Sequence, residues 1–203
     1  MTRASIIGSA PMTTRAKALN DMPMEREGFH HLLEENVILV DAEDLPVGSA
    51  GKLIVHQRNM RHRAISVLIF DRTGRMLLQR RSASKYHSGN MWSNACCSHP
   101  RPGESPVAAA GRRLREEMGF AVPLNFAGRF QYEAPVGKGL WENEVVHIFT
   151  GRYDGEVAPN ADEADDFCWQ APDSIRQDVA ARPDRYTPWL RLYSQAPWFR
   201  MSP

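Results

Sequence analysis

Apolar and polar positions fall along this chain in short, clearly punctuated blocks. Val37-Ile38-Leu39-Val40 reads as a short buried strand, closed by the turn-rich residues 41–51. Residues 64–70 form a mostly apolar run, and residues 76–80 a second segment that opens on Met76-Leu77-Leu78. Between them, Asp71-Arg72-Thr73-Gly74 is a strong hairpin signal. One helix is marked at both ends: Ser105 can cap it, Pro106 suits its first turn, and Gly119 can end it in the left-handed conformation. Val107, Ala110, Leu114 and Met118 supply its core stripe. Strands are predicted over residues 125–132 and 142–153, and one or two short helices after Trp169. Strands before, around and after a central helix predict a mixed α/β sandwich of the α+β type, rather than a regularly alternating doubly wound sheet.

Length and charge narrow the class. The 203 residues fit one domain, read here as residues 31–203, preceded by an extension over residues 1–30 that is expected to be disordered. Lys and Arg number 25 against 24 Asp and Glu, so no field of one sign points to nucleic acid or a membrane surface. No apolar run is long enough to span a bilayer. The 3 cysteines are Cys96, Cys97 and Cys168, an odd count with no C-x-x-C. They argue against a disulfide scaffold or a thiolate zinc site, and for a reducing, cytoplasmic compartment.

The chemistry collects in a few places. On a strand, Cys97 and His99 share one face, as do Glu142 and Glu144, because side chains alternate with period two. Paired carboxylates in an apolar strand repel unless a cation joins them; otherwise they belong on a solvated edge. His56 and His62 flank the polar loop 57–61, where either alone would be an ordinary surface histidine. Together with His99, Glu142 and Glu144 they make three imidazoles and two carboxylates, a set suited to five- or six-coordinate Mn²⁺, Mg²⁺ or Zn²⁺. His30, His31, His87 and His147 have no comparable partners in sequence and read as incidental. Lys52, Arg81, Lys85 and Arg113 recur beside these elements. Arg113 and Glu117 share a helix face, either as a surface ion pair or to hold phosphate oxygens and a second divalent ion.

The helix resembles the Nudix box, with Glu104, Arg112, Leu114, Glu116, Glu117, Gly119 and Phe120 on the pattern. Ser98 stands in place of the opening Gly, and Arg113 in place of the Glu after Arg112. The ordered pieces around it are similar to type I isopentenyl-diphosphate isomerases. These are Gly51-Lys52 through His56, His62-Arg63-Ala64, Arg80 through Lys85, Trp92 through Pro100, Trp141 through Val145, and Cys168-Trp169. That resemblance implies a Nudix-type α/β/α sandwich and a metal-dependent conversion of isopentenyl to dimethylallyl diphosphate in isoprenoid biosynthesis. It implies Cys97 and Glu144 as the two acid/base groups, Tyr132 hydrogen-bonded at Glu144, and Trp169 facing the carbocation. His56, His62, His99, Glu142 and Glu144 would hold one ion. Lys52, Arg81, Lys85 and Arg113 would bind the diphosphate, with Mg²⁺ bridged by Glu117. Cys96 is assigned to the core through the same pattern. A monomer or weak homodimer is expected. The alternative is a Nudix hydrolase of a nucleotide or other diphosphate.

Overall fold

The structure, a computed structural model, describes residues 35–200. The expected extension over residues 1–30, with His30 and His31, lies outside the described residues. In chain order the elements are β1 (Asn36–Val40), β2 (Pro46–Gly51), α1 (Lys52–Gln57), β3 (His62–Phe70), β4 (Met76–Arg81), β5 (Trp92–Asn94) and β6 (Cys96–Ser98). There follow α2 (Pro106–Met118), β7 (Asn125–Gly137), β8 (Leu140–Arg152), β9 (Ala164–Gln170), α3 (Pro172–Ala181) and α4 (Pro188–Gln195).

Strand β3 is the spine of a mixed sheet. It runs parallel to β8 along its whole length, and its other edge is shared in turn by β1, β6 and β4. Its side chains divide the protein into two layers. Ala64, Leu68 and Phe70 face a core closed by α3 and α4 through Ile175, Val179, Trp189, Leu190 and Tyr193. Ile65, Val67 and Ile69 face a second core closed by α2 through Ala109, Ala110, Leu114 and Met118. A sheet buried on both faces explains why β3 reads as a mostly apolar run. The result is the expected α/β/α sandwich.

Local signals account for several elements. At the β3–β4 turn, Asp71 Oδ1 accepts hydrogen bonds from the backbone of Thr73 and Arg75, with Gly74 at φ 78°. Ser105 caps α2 by accepting from Ala108 N, and Gly119 ends it at φ 81°. At Gly119 a Cβ would lie 2.5 Å from the Ala158 carbonyl oxygen, so only glycine fits there.

Four expectations change. Val107 is 52% exposed, because the first turn of α2 projects beyond the sheet; Ala109 joins Ala110, Leu114 and Met118 in the buried stripe instead. The stretch read as turns contains β2, an edge strand paired with β1 whose side chains are mostly exposed, so it carries no apolar alternation. His56, at the edge of the predicted loop, is carried by a short helix, α1, absent from the predicted elements. Strands β7 and β8 extend toward each other to a tight turn at Lys138-Gly139, both at positive φ.

Candidate active site

Strand register assembles the site on one face of the sheet. Tyr132 on β7 is paired with Glu144 on β8, and Glu144 with His62 on β3. Directly opposed residues point to the same side, so the three form a row. Two steps of period two along β3 lead from His62 to Ser66, which is paired with Cys97 on β6. Cys97 and Tyr132 accordingly pack against the layer beneath α3 and α4, whereas Cys96, one residue away, lies in the layer beneath α2.

Around Glu142 and Glu144 the donors converge. His56 Nδ1 donates to the Lys52 carbonyl at 2.6 Å, and His62 Nδ1 to the Met60 carbonyl at 2.9 Å. A carbonyl only accepts, so in each ring Nδ1 carries a proton and Nε2 is the nitrogen left to meet a carboxylate or an ion. Both Nε2 atoms point at Glu142 Oε2, at 2.8 and 3.4 Å, and His99 Nε2 lies 3.1 Å from His62 Nε2. His56 Nε2 and Glu142 Oε2 are buried without a hydrogen-bond partner. Lone pairs facing one another in a dry interior are costly unless a cation sits between them. The ligand atoms of His56, His62, His99 and Glu142 all lie within 4.8 Å of one another, which suits bonds of about 2.1 Å to one ion. Glu144 flanks the cluster, with Oε1 3.1 Å from His99 Nε2 and 3.6 Å from His62 Nε2.

The electrostatics carry the same imprint. Burial pushes His62 down, but Glu142 and Glu144 outweigh it and lift its pKa to about 10. At His99 burial prevails and lowers the pKa to about 4. Burial alone would raise both carboxylates, and the charge of Glu142 would raise Glu144 further; the surrounding imidazoles nevertheless hold both below the ordinary range. The Tyr132 phenol is buried, faces two acids and bonds Glu144, all of which keep it protonated.

At the other end, burial pushes the Cys97 thiol up to about 12. Asn94, wholly buried, governs its direction. The Asn94 Nδ2 donates to the Val67 and Cys96 carbonyls, at 2.9 and 3.0 Å, which fixes which end of the amide is nitrogen. The Oδ1 oxygen is left to accept from Cys97 Sγ at 3.1 Å. Cys97 is thereby held as a thiol, with Ser66 Oγ 3.4 Å away on its other side. Asn94→Ala strands those two carbonyls and frees the thiol, so a loss of about 2 kcal/mol or more in stability is expected. Urea unfolding measures it; an unchanged midpoint would contradict the role given to this amide.

Comparison with known proteins adds identity to this geometry. Residues 60–190 match the NUDIX domain family. The isopentenyl-diphosphate Delta-isomerase 2 of Aromatoleum aromaticum is 52% identical over 158 residues, covering 78% of this chain and 84% of that protein. The chain belongs to the Nudix-domain isopentenyl-diphosphate Delta-isomerase family. A Serratia proteamaculans protein named isopentenyl-diphosphate Delta-isomerase is 45% identical, over 78% of this chain and 88% of its own. The solved structure of DR0079 from Deinococcus radiodurans shares the fold, with TM-score 0.67 at 19% identity over 79% of this chain and 98% of that one.

Not every residue expected in an isopentenyl-diphosphate Delta-isomerase site is brought to this face. Trp169 is paired with Leu77, and both lie in the α2 layer. Its neighbour Cys168, paired with Leu78, points to the Cys97 side instead. The expected role of Trp169 toward a carbocation is therefore corrected by one residue of strand parity. The aromatic residues that do share the Cys97 layer include Trp189, Tyr132, Tyr193, Phe130 and Trp198; Trp189 donates its indole N–H to Ser93 at 2.8 Å, and Tyr193 is edge-on to Tyr132 at 6.5 Å and 5.6 Å from Trp198.

Glu117 sits across the sheet, accepting from Arg113 at 2.8 Å, Gln79 at 2.9 Å and Cys96 at 3.3 Å. Both of its oxygens accept hydrogen bonds. Lys85 and Arg113 converge on Glu163, while Lys52 pairs with Glu35. Arg81 stacks over Trp189 at 5.3 Å. His147 binds Asp44 at 2.6 Å, away from the cluster. His87, read as incidental, is buried with Nε2 3.2 Å from Glu142 Oε1. Only its pairing with a carboxylate 55 positions later could have revealed that, and sequence spacing carries no such signal. No helix among the described residues is long and apolar enough to cross a membrane.

Proposed function

We propose that this protein converts isopentenyl diphosphate to dimethylallyl diphosphate in isoprenoid biosynthesis, as its relatives are named for doing. The observation that carries the reading is a half-buried thiol and a buried carboxylate on one sheet face, with imidazole donors gathered around the carboxylate. Allylic isomerisation needs one proton delivered to the terminal alkene carbon and another removed from the carbon nearer the diphosphate. Two acid/base groups with water kept away meet that need.

His56, His62, His99, Glu142 and Glu144 would hold one divalent ion, with Mn²⁺, Mg²⁺ and Zn²⁺ all compatible with the donors. Bound there, such an ion supplies positive charge that orients Glu144 and shifts its proton affinity. Cys97, kept protonated by Asn94, is poised as one acid/base and Glu144, backed by Tyr132, as the other. The tertiary cation between the two transfers would be met by the aromatic faces of Tyr193 and Trp198. Lys52, Arg81, Lys85 and Arg113 would take the diphosphate, Lys85 and Arg113 by exchanging Glu163 for phosphate oxygens. A Mg²⁺ at Glu117 would require that carboxylate to give up its bond from Arg113. The chemistry requires neither a nucleic acid nor a membrane partner, and suits a cytoplasmic enzyme.

Incubation of the Mg²⁺- or Mn²⁺-loaded protein with isopentenyl diphosphate is expected to yield the allylic diphosphate with no phosphate released. Phosphate or pyrophosphate release without allylic product would replace this reading with diphosphate hydrolysis. The ion pairs of Arg113 with Glu116, Glu117 and Glu163 weigh against that outcome, because they neutralise the acids hydrolysis would need.

A further inference from the structure

We propose that His87 is a positioning residue for the metal cluster, holding one oxygen of Glu142 so that the other is presented to the ion. The proposal rests on the metal-binding reading above and extends it to a residue outside the ligand set.

His87 Nε2 lies 3.2 Å from Glu142 Oε1, within reach of a hydrogen bond. An ionised carboxylate only accepts, so the imidazole is the donor in this contact. The other ring nitrogen, Nδ1, faces the Ser88 hydroxyl at 3.3 Å, which can donate to it. One carboxylate oxygen is thus occupied by His87, while Oε2 alone faces His56 and His62. Without that bond the carboxylate would rotate about its last torsion and leave a buried oxygen unpartnered. Outer partners that orient a ligand in this way typically contribute about 10- to 100-fold in metal affinity.

The surroundings hold the ring firmly. Tyr86 packs edge-on against it at 4.3 Å and Trp189 at 6.2 Å. Ser88 and Asn90 both adopt positive φ, 52° and 63°, unusual for residues other than glycine. Between them Gly89 is pressed against the backbone, where a Cβ would be 3.0 Å from the Ala83 carbonyl oxygen. Arg81 pins the loop by donating to the carbonyls of His87 and Ser88, at 3.4 and 3.2 Å. The same guanidinium is expected at the diphosphate.

Metal-free protein titrated with Mn²⁺, with free ion read by electron paramagnetic resonance, tests this without reference to turnover. The unsubstituted protein should bind one Mn²⁺ per chain, His87→Phe should bind it about 10- to 100-fold more weakly, and His87→Gln, whose amide can still donate, should recover most of the loss. Equal affinity in the unsubstituted and Phe forms would overturn the role of His87 while leaving the metal site standing. No tight Mn²⁺ in the unsubstituted protein would remove the metal reading and this inference together. Should His87→Phe fail to fold, long-range ¹H–¹⁵N spectra of the unsubstituted protein decide: a proton on Nε2 of His87 supports the proposal, and a proton on Nδ1 overturns it.

Discussion

Cys97→Ala should abolish turnover, by about a thousandfold or more, while Cys96→Ala should keep activity within about tenfold and lose only modest stability. The two thiols are adjacent in the chain and opposite in the fold. Cys97 shares its layer with Tyr132, bonds Asn94 at 3.1 Å, and sits across from Ser66 in the row that begins at His62. Cys96 is buried beneath α2, where its thiol donates to Glu117 at 3.3 Å. Removing Cys96 empties a small volume and one weak hydrogen bond, worth about 1 kcal/mol. Removing Cys97 takes away an acid/base group with no neighbour able to substitute, since the serines beside it are far weaker acids. Steady-state kinetics paired with thermal unfolding check this, and equal loss of turnover in both variants would mean that strand parity does not divide their roles.

Glu142→Gln should abolish both metal binding and the stability that metal confers. Glu142 is the carboxylate about which His56, His62 and His87 converge, at 2.8, 3.4 and 3.2 Å. Breaking a buried charge cluster of this kind costs about 3–5 kcal/mol, which corresponds to roughly a hundred- to a few-thousandfold in affinity. In the unsubstituted protein, saturating ion at about a hundred times its Kd adds about 2.7 kcal/mol of stability, and a chelator removes it. Thermal melts with and without Mn²⁺ should therefore differ for the unsubstituted chain and coincide for Glu142→Gln. A metal-dependent shift that survives the substitution would place the ion elsewhere.

Much of this was legible in the sequence wherever signals were local. The Asp71–Gly74 turn and the caps of α2 at Ser105 and Gly119 are written within a few residues of the structures they specify. The sharing of a face by Glu142 and Glu144 follows from strand period alone. What failed was non-local. Strand β9 has Cys168 and Trp169 side by side, and only its register against Leu77 and Leu78 decides which faces the site. His87 has no neighbour in sequence that hints at Glu142. Asn94 lies inside the stretch that carries the family resemblance, yet its task appears only when its amide meets the Val67 carbonyl. The α1 helix is a single short turn-and-a-half, too brief for hydrophobic period to announce, although it carries both Lys52 and His56.

The most direct test is turnover of isopentenyl diphosphate in D₂O with the metal-loaded protein, read by ²H NMR of the recovered diphosphates. Proton delivery to the terminal alkene carbon predicts solvent deuterium in a methyl group of dimethylallyl diphosphate, with the diphosphate intact. Allylic product free of deuterium in that methyl group, or cleaved diphosphate in place of product, would contradict a paired proton transfer by Cys97 and Glu144.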